Sequence, residues 1–355
     1  MGACRIVTSW PLDSGIGSGV AQVARAFQRI ISHGGIPAEL VEADYPSGGY
    51  LATGVRRVWF NYRIARRIAS TTGPVVSFDF DGFTFPPHVP FVSINQGVAG
   101  DIIQFETGAV KQAVRLMAAL EGKAARKARR IFVPSRFAAQ RVCALYGIAS
   151  AKAEVMPNGI FFDEWSALVK NAIVDAKRPP TVLCVARLYR RKGVDMLLRA
   201  WPGVLEKVPE AVLMIAGGGL EFARLNSMAK ELGIGKSVRF EGDVTSRLKL
   251  AALYAGCDLF CLPSRHETFG LVFLEAMAAG KPVVALDSTA APEVVRNGVD
   301  GLLVRDETEL AEAIVSLLRD GQLREKMGAS GKERAMKEFK WEKTAQPLME
   351  YLRGW

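Results

Sequence analysis

The chain has 355 residues, of which 49% are hydrophobic and 23% charged, and it carries a formal net charge of +10 at pH 7. This length favours two domains with large cores, and the ordinary composition excludes a disordered or collagen-like chain. No apolar run is long enough to span a bilayer, and the N-terminus lacks the regions of a secretory signal. The cysteines at positions 4, 143, 184, 257 and 261 lack metal-ligand spacing, so we expect reduced core thiols in a cytoplasmic protein.

The positive charge is concentrated in two segments of the first half. Segment 111–141 holds nine Lys or Arg against one acid, and segment 55–70 holds five Arg and no acid. The second segment also carries aromatic residues, so it could rest on an anionic membrane surface. A helix packed on its domain with solvated arginines is the slightly favoured alternative. The residues concerned are Arg56, Arg57, Trp59, Phe60, Tyr62, Arg63, Arg66 and Arg67.

The first half alternates short apolar strands with amphipathic helices, which predicts an α/β fold with a mostly parallel sheet. Predicted strands cover 5–9, 38–41, 75–78, 91–94, 130–133 and 154–156, and predicted helices cover 19–31, 55–69, 110–128 and 138–145. A composition break at 171–180 predicts a linker.

The second half repeats this pattern. Predicted strands cover 182–185, 212–215, 238–240, 258–262 and 283–285. Predicted helices cover 195–207, 221–232, 247–255 and 269–279, and the segment 341–355 is predicted to be a separate helix.

Three polar motifs of the first half follow predicted strands. Gly15 and Gly17 stand at a strand-to-helix turn, where backbone N–H groups can approach a phosphate, although any tight turn could use them. Asp79 and Asp81 form a D-x-D pair, which we interpret as a solvated strand end or an acceptor-binding pair rather than a metal site. Asn95 ends a strand, and its amide can hydrogen-bond a hydroxyl or carbonyl but cannot titrate.

The most informative stretch runs from Pro263 to Leu286 and predicts a loop, a helix and a strand. The helix start near Gly270 offers backbone N–H groups and the positive end of a helix dipole, which suits a phosphate. Glu267 and Glu275 flank that start, and their carboxylates can accept hydrogen bonds from hydroxyls. A nucleotide-sugar has phosphates between two hydroxylated rings, but a helix-start Glu plus a buried, backbone-satisfied Glu fits the spacing equally well.

The same stretch resembles the signature P-S-x-x-E-x-F-G-x-x-x-x-E-A-M-A-x-G-x-P-V-V of the retaining GT-B glycosyltransferases of the "glycosyl transferases group 1" family, relatives of glycogen and sucrose-phosphate synthases. The resemblance implies two Rossmann-like domains with parallel sheets facing a central cleft. It implies an acceptor domain of residues 1–170, with the last helix 341–355 packing back on it, and a nucleotide-sugar donor domain of residues 171–340.

The resemblance also implies roles for individual residues. Arg187 and Lys192 match a diphosphate-binding element that follows a strand, where a solvated basic loop is the alternative, and Glu267 is implied to hold the donor sugar. These three are the implied catalytic residues. The implied donor-binding residues are Gly15, Gly17, Gly217, Gly218, Val244, Phe269, Gly270, Leu271 and Glu275, and Asn95 is placed on the acceptor and sugar side, where many relatives carry His.

We therefore predict a retaining, metal-independent hexosyltransferase that moves a sugar from a nucleoside-diphosphate sugar to an acceptor hydroxyl. The nucleotide-sugar is a co-substrate and no other cofactor is expected; UDP and GDP are the favoured nucleotides. The acceptor is a carbohydrate or a lipid-linked precursor of a surface polysaccharide, and the protein is expected to be cytoplasmic, with possible peripheral binding to the inner face of an anionic membrane.

Two alternatives stay open at this stage. One is a GT-B nucleotide-sugar epimerase or hydrolase, which needs no acceptor or only water. The other is a non-catalytic basic protein that binds polyanions. We expect no nucleic-acid partner, because no aromatic RNA-binding motif is present.

Overall fold

The computed structural model describes residues 2–10, 19–45 and 49–355. These residues form two compact units. The described residues up to Asn158, together with Trp341–Trp355, make the first unit, and Gly159–Lys340 makes the second.

The first unit is built on a parallel six-stranded sheet. Its strands are β1 (Cys4–Thr8), β2 (Ala38–Glu42), β3 (Val75–Phe78), β4 (Val92–Ile94), β5 (Arg130–Val133) and β6 (Ala153–Val155), in the order β2-β1-β3-β4-β5-β6. Its helices are α1 (Gly19–His33), α2 (Tyr50–Ala69), α3 (Ala99–Ile102), α4 (Gly108–Lys127) and α5 (Arg136–Tyr146). All six predicted strands are confirmed, with ends that shift by at most one residue.

The second unit repeats the design with α6 (Phe162–Lys170), β7 (Thr181–Val185), α7 (Val194–Lys207), β8 (Val212–Ala216), α8 (Phe222–Glu231), β9 (Val238–Gly242) and α9 (Arg247–Ala255). It continues with β10 (Leu259–Leu262), α10 (Leu271–Ala278), β11 (Val283–Leu286), α11 (Ala291–Val294), β12 (Gly301–Val304), α12 (Glu307–Arg319) and α13 (Gly321–Glu338). The strands are parallel in the order β12-β11-β10-β7-β8-β9. The predicted α/β fold with two parallel sheets is confirmed.

Each sheet reverses its strand order beside its first strand. The reversal lies between β1 and β3 in the first unit and between β7 and β10 in the second. In open α/β sheets, ligands bind at the carboxyl ends of the strands at such a switch point. The loops that follow these four strands are therefore the first places to look for a functional site.

The break between the units falls after Asn158 and not at the predicted position after residue 170. The physical reason is α6, whose Trp165 is buried in the second unit. The Trp165 ring packs edge-on against Tyr254 at 5.5 Å, and its indole N–H donates to the carbonyl of Glu275 at 2.9 Å. The polar segment 171–180 is consequently a loop within the second unit.

The last segment forms two helices where one was predicted. They are α14 (Trp341–Thr344) and α15 (Gln346–Arg353), and Pro347 stands in the first turn of α15, where its missing N–H costs nothing. Both helices pack within the first unit. Trp341 contacts Phe27 at 5.2 Å between ring centroids, and Tyr351 contacts Phe132 at 6.3 Å.

All five cysteines are free thiols, and four of them are buried. Among the described residues, none of the helices combines the length and the apolar character that crossing a membrane requires.

Candidate functional site

Two loops meet at the switch point of the second unit, one after β7 and one after β10. Gly193 closes the first loop with φ +70°, and a Cβ there would lie 1.9 Å from the carbonyl oxygen of Pro263. The contact is completed by Arg191, whose carbonyl accepts the Arg265 N–H at 2.7 Å and the Ser264 hydroxyl at 3.0 Å. This close backbone approach fixes the side chains that both loops carry.

Lys192 and Glu267 form a buried ion pair between these loops. Lys192 Nζ lies 2.5 Å from Glu267 Oε1, and the two side chains are only 15% and 8% exposed. Burial lowers the pKa of Lys192, although Glu267 opposes that shift. Burial alone would raise the pKa of Glu267, but the charge and hydrogen bond of Lys192 outweigh it and lower that pKa. The two predicted catalytic residues are thus brought together, with Glu267 held ionised.

Arg187 follows β7 at the same edge and is partly buried. Within the described parts of the chain, its guanidinium has no hydrogen bond or ion pair. The neighbouring cations are used differently: Arg190 pairs with Glu221 at 3.5 Å, and Arg191 lies over the ring of Tyr189 at 5.5 Å. Arg187 is therefore the cation of this loop that is best placed to meet an anionic ligand.

The start of α10 depends on Gly270, which has φ +87°. A Cβ at Gly270 would lie 2.4 Å from a ring carbon of Phe273, so only glycine fits. This left-handed residue makes the helix begin at Leu271 and not at the predicted Phe269. The side chain of Phe269 is buried against Phe339 at 5.8 Å, so Phe269 can offer a ligand only its backbone. The first N–H groups of a helix have no intrahelical partners and can bind an anion.

Glu275 lies on α10 beside Tyr254, whose hydroxyl donates to Glu275 Oε2 at 3.1 Å. Burial raises the pKa of Glu275 to about 7, although the Tyr254 hydrogen bond and Arg247 oppose that shift. The expected partner of this carboxylate, a ribose hydroxyl, stays a prediction. Tyr254 and Trp165 are the residues of this corner that the sequence analysis missed.

The raised pKa of Glu275 predicts a pH-dependent stability difference. Between the ordinary value of 4.5 and about 7, the folded state binds more protons than the unfolded state, so the free energy of unfolding falls as pH rises through this window. Gln cannot ionise and can still accept from Tyr254. We therefore expect Glu275→Gln to be more stable than wild type by about 1–3 kcal/mol at about pH 8, and to match it at about pH 4.

Denaturant unfolding of both proteins across this range measures the difference. The surface variant Glu338→Gln serves as the matched control, because Glu338 pairs with Arg334 while remaining half-exposed. A wild-type advantage at high pH would show that Glu275 is ionised and stabilised in the folded protein.

Gly217 and Gly218 follow β8, where the backbone packs closely against the segment that follows β7. A Cβ at Gly217 would lie 2.0 Å from the carbonyl oxygen of Ala186, so glycine is required where these loops touch. Their N–H groups are already used: Gly217 donates to the Gly242 carbonyl at 2.7 Å, and Gly218 donates to Asp243 Oδ1 at 2.9 Å. These two glycines can therefore contribute to donor binding only by allowing a close approach of the backbone, and not by donating hydrogen bonds. Val244 is buried directly after Asp243.

Asn95 is held in a buried network in the first unit. The Ser93 hydroxyl donates to Asn95 Oδ1 at 2.8 Å, and Asn95 Nδ2 donates to Glu121 Oε1 at 2.7 Å. Glu121 Oε2 also accepts from the Tyr146 hydroxyl at 2.7 Å and from the Ala99 N–H at 2.8 Å, and burial raises the pKa of Glu121 to about 8. The amide of Asn95 is thus committed to structure, and its contact with a transferred sugar stays a prediction.

The interpretation of Asp79 and Asp81 as a solvated strand end is wrong. Both carboxylates are shielded beside the guanidinium of Arg57, which is itself only 4% exposed. Burial raises the pKa of both aspartates, and Arg57 opposes that shift. The expectation of solvated arginines on α2 also fails at Arg57, because its guanidinium stacks between the rings of Trp10 and Phe80.

The opposite side of α2 carries an apolar stripe. Leu51, Val55, Trp59 and Tyr62 are spaced so that they share one helix face, and they are between 43% and 71% exposed. Arg63 borders the stripe with its guanidinium 5.1 Å from the Trp59 ring. Arg63 also pairs with Asp44 at 2.6 Å, so this face offers apolar contact area bordered by a cation whose charge is partly balanced.

Gly15 and Gly17 lie outside the described residues. In the described ranges, no three His, Cys, Asp or Glu side chains lie together in a way that could hold a metal ion.

Comparison with known families matches both halves of the chain. A sequence model described as "Glycosyl transferases group 1" matches residues 169–334, and one described as "Glycosyltransferase Family 4" matches residues 40–164. A GDP-mannose-dependent alpha-(1-6)-phosphatidylinositol monomannoside mannosyltransferase of Mycobacterium tuberculosis is 36% identical over 234 residues, which cover 62% of this chain and 60% of that relative. The match thus spans less than two thirds of the relative's length.

Solved structures share the fold. Sucrose-phosphate synthase from Thermosynechococcus elongatus matches with a TM-score of 0.80 at 20% identity, over 100% of this chain and 99% of that one. HepE from Anabaena, in complex with UDP and glucose, matches with a TM-score of 0.77 at 19% identity over 100% of both chains. At such identities the likeness concerns the fold.

Proposed function

Because the chain belongs to the GT-B glycosyltransferases of the glycosyl transferases group 1 family, we propose that it is a retaining glycosyltransferase. It moves a sugar from a nucleoside-diphosphate sugar to an acceptor hydroxyl. The observation that carries the proposal is the Lys192–Glu267 pair, buried at the switch point of the second sheet beside Arg187. Two cations and a carboxylate at that place match a diphosphate and the hydroxyls of an attached sugar.

The cations act on the leaving group. As the bond between the sugar C1 and the diphosphate oxygen breaks, negative charge grows on that oxygen. Arg187 and Lys192 stabilise this charge, and the backbone N–H groups at the start of α10 add to the effect. Such preorganised positive charge supplies what a metal ion supplies in other enzymes, so we propose a metal-independent reaction.

The carboxylates bind hydroxyls. Glu267 is kept ionised by Lys192, so it accepts hydrogen bonds from the transferred sugar and stabilises positive charge that develops at C1. Glu275 accepts from the ribose. The acceptor oxygen attacks C1 on the face that the diphosphate leaves, and its proton passes to the departing phosphate oxygen. No protein nucleophile is needed.

We propose GDP as the nucleotide. The Mycobacterium tuberculosis relative is GDP-mannose-dependent by name. Asp243 supports the same choice: its Oδ1 accepts the Gly218 N–H at 2.9 Å and anchors the loop after β8, and Asp243 directly precedes Val244, one of the implied donor-binding residues. Guanine presents neighbouring N–H donors that a carboxylate can accept, whereas uracil presents one.

Thermal unfolding with GDP, UDP, ADP and TDP tests the donor site, because at equal concentration the ligand that binds more tightly stabilises the folded state more. We expect GDP to raise the melting temperature and the others to raise it less, and Asp243→Asn to reduce the difference between GDP and UDP. Glu210→Gln, an exposed change in the same unit, is the control. If no nucleotide stabilises the protein, the donor assignment is wrong and binding to polyanions has to be measured instead.

Product analysis separates transfer from the related reactions. With GDP-mannose and acceptor, we expect an α-linked product and free GDP. An epimerised or hydrolysed sugar that forms at the same rate without acceptor would favour the epimerase or hydrolase alternative.

The exposed stripe of α2 supports peripheral binding to an anionic membrane. A protein held at a membrane would meet acceptors that are attached to lipids, so we also propose a lipid-linked acceptor. We expect the protein to float with vesicles containing anionic phospholipid at low salt and to be released by high salt. Trp59→Ala should weaken flotation about tenfold, because an aromatic anchor is lost. Leu248→Ala, which removes an exposed apolar side chain from the second unit, should have no effect. Equal flotation of all three proteins would exclude α2 as the membrane-binding element.

A further inference from the structure

A third loop lies beside the two loops that meet at the switch point of the second sheet. It covers residues 287–290 and follows β11, the strand that pairs with β10. Parallel strands end at one edge of their sheet, so this loop borders the one that carries Glu267. The sequence stretch from Pro263 to Leu286 ends just before it, and the proposed function gives none of its residues a role.

Thr289 in this loop has an unfavourable backbone conformation. Its φ is +52°, and among the described residues only Thr289 and Asp79 combine a side chain with a positive φ. Asp tolerates the left-handed region, whereas a β-branched residue there is a genuine outlier. Such strain persists only where surrounding contacts impose it, and it concentrates at functional sites.

Hydrogen bonds on both sides of Thr289 impose this conformation. Before it, the Asp287 N–H donates to the Val304 carbonyl at 2.7 Å. After it, Ala290 is buried, and its N–H donates to the Glu267 carbonyl at 3.3 Å. The loop is therefore tied to β12 on one side and to the Glu267 main chain on the other.

The left-handed backbone places the Thr289 hydroxyl against the main chain of Glu267. Thr289 Oγ1 accepts the Glu267 N–H at 3.0 Å. A β-branched side chain has few χ1 rotamers, so the position of this oxygen is well defined. Glu267 is buried, and its N–H would be left unsatisfied without such an acceptor.

Glu267 is thus held at both ends. Lys192 fixes its carboxylate from the loop after β7, and Thr289 and Ala290 fix its main chain from the loop after β11. A catalytic group has to be kept within about 0.5 Å of its productive position by the contacts behind it. Resting on the proposed function, we propose that Thr289 is a positioning residue, which fixes the Glu267 main chain so that the carboxylate meets the transferred sugar.

Thr289→Val tests this role, because Val keeps the shape and the branched Cβ and removes the acceptor oxygen. The probes are GDP-mannose as donor and methyl α-mannoside as acceptor. We expect kcat for GDP release to fall about tenfold, since a displaced carboxylate stabilises the transition state less. The affinity for GDP, read from thermal stabilisation, should stay within about twofold of wild type because GDP lacks the sugar.

Three further variants separate positioning from stability. Thr289→Ser keeps the hydroxyl, so kcat should stay within about twofold of wild type. Thr289→Gly removes the hydroxyl together with the strain, so it should melt at a higher temperature than Thr289→Val and lose as much activity. It also takes the place of Thr289→Val if that variant does not fold. Ser288→Ala is the matched control: it removes a hydroxyl of the same loop that contacts Ser264 and not Glu267, and its kcat should stay within about twofold of wild type.

A double-mutant cycle with Glu267→Gln shows whether Thr289 acts through Glu267. If it does, Thr289→Val should lower the residual activity of Glu267→Gln by less than about twofold. A full, additive loss in that background would mean that Thr289 contacts the substrate itself, and it would overturn the positioning role. Activity of Thr289→Val equal to wild type would also overturn it, and so would an equal loss of stabilisation by GDP.

Hydrogen exchange at the Glu267 amide tests the contact without any substrate. We expect exchange to be about tenfold faster in Thr289→Val and Thr289→Gly than in wild type and Thr289→Ser. Unchanged exchange in Thr289→Val would overturn the proposal whatever the kinetics show. Faster exchange in a protein that no nucleotide stabilises would refute the proposed function, and with it the role in transfer, while the hold of Thr289 on Glu267 would stand.

Discussion

Replacing Lys192 by Ala is expected to lower kcat/KM for the nucleotide-sugar by about a hundredfold or more, since one charge-assisted hydrogen bond to the leaving diphosphate contributes up to about 3 kcal/mol. The same change leaves Glu267 buried without its cation. Breaking a buried ion pair from one side costs about 3–5 kcal/mol of stability. Activity must therefore be measured at a temperature where the variant is folded.

A second variant separates these two effects. Lys192→Ala combined with Glu267→Gln removes the uncompensated charge, so we expect stability to recover. Because Glu267 is itself assigned to the transferred sugar, the readout is stabilisation by GDP, which lacks that sugar, and we expect this stabilisation to stay reduced. Arg190→Ala is the matched control, because Arg190 belongs to the same basic run but pairs with Glu221 at the surface. Turnover close to wild type in Lys192→Ala would refute the assignment of Lys192 to the diphosphate.

Gly193→Ala is expected to have the largest effect on stability. The new Cβ would lie 1.9 Å from the Pro263 carbonyl oxygen, and the backbone has φ +70°. The loops after β7 and β10 would have to separate, which would also displace Lys192 from Glu267. We expect a loss of about 4 kcal/mol or more in the free energy of unfolding, and little remaining stabilisation by GDP.

Gly233→Ala is the matched control for this experiment. Gly233 has nearly the same φ, +71°, but a Cβ there meets no atom within 4 Å. It measures the cost of the left-handed conformation alone, which is about 1–2 kcal/mol. Denaturant unfolding of both variants compares them. If the two lose equal stability, the backbone contact between the loops does not determine the geometry of the site.

The sequence by itself determined the fold class and the two segments that meet at the switch point of the second sheet. Alternating apolar strands and amphipathic helices have periods that can be read locally, so the two parallel sheets could be predicted. The run from Pro263 to Leu286 and the element around Arg187 to Lys192 each follow a strand, and parallel strands bring their carboxyl ends to one edge. For that reason the sequence could predict that Lys192 and Glu267 lie close together. It assigned Lys192 to the diphosphate and Glu267 to the sugar, and did not predict that they pair with each other.

Only the tertiary structure decided which polar groups are buried and what they contact. Asp79 and Asp81 look like a solvated strand end in the sequence, because nothing local indicates that Arg57, on a separate helix, lies between two aromatic rings beside them. Nothing local indicates that the amide of Asn95 donates to Glu121, which lies on a separate helix. The boundary between the units lies earlier in the chain than predicted because Trp165 packs on Tyr254, some ninety residues along the chain. Burial and charge pairing depend on contacts between distant segments, and local periodicity carries no information about them.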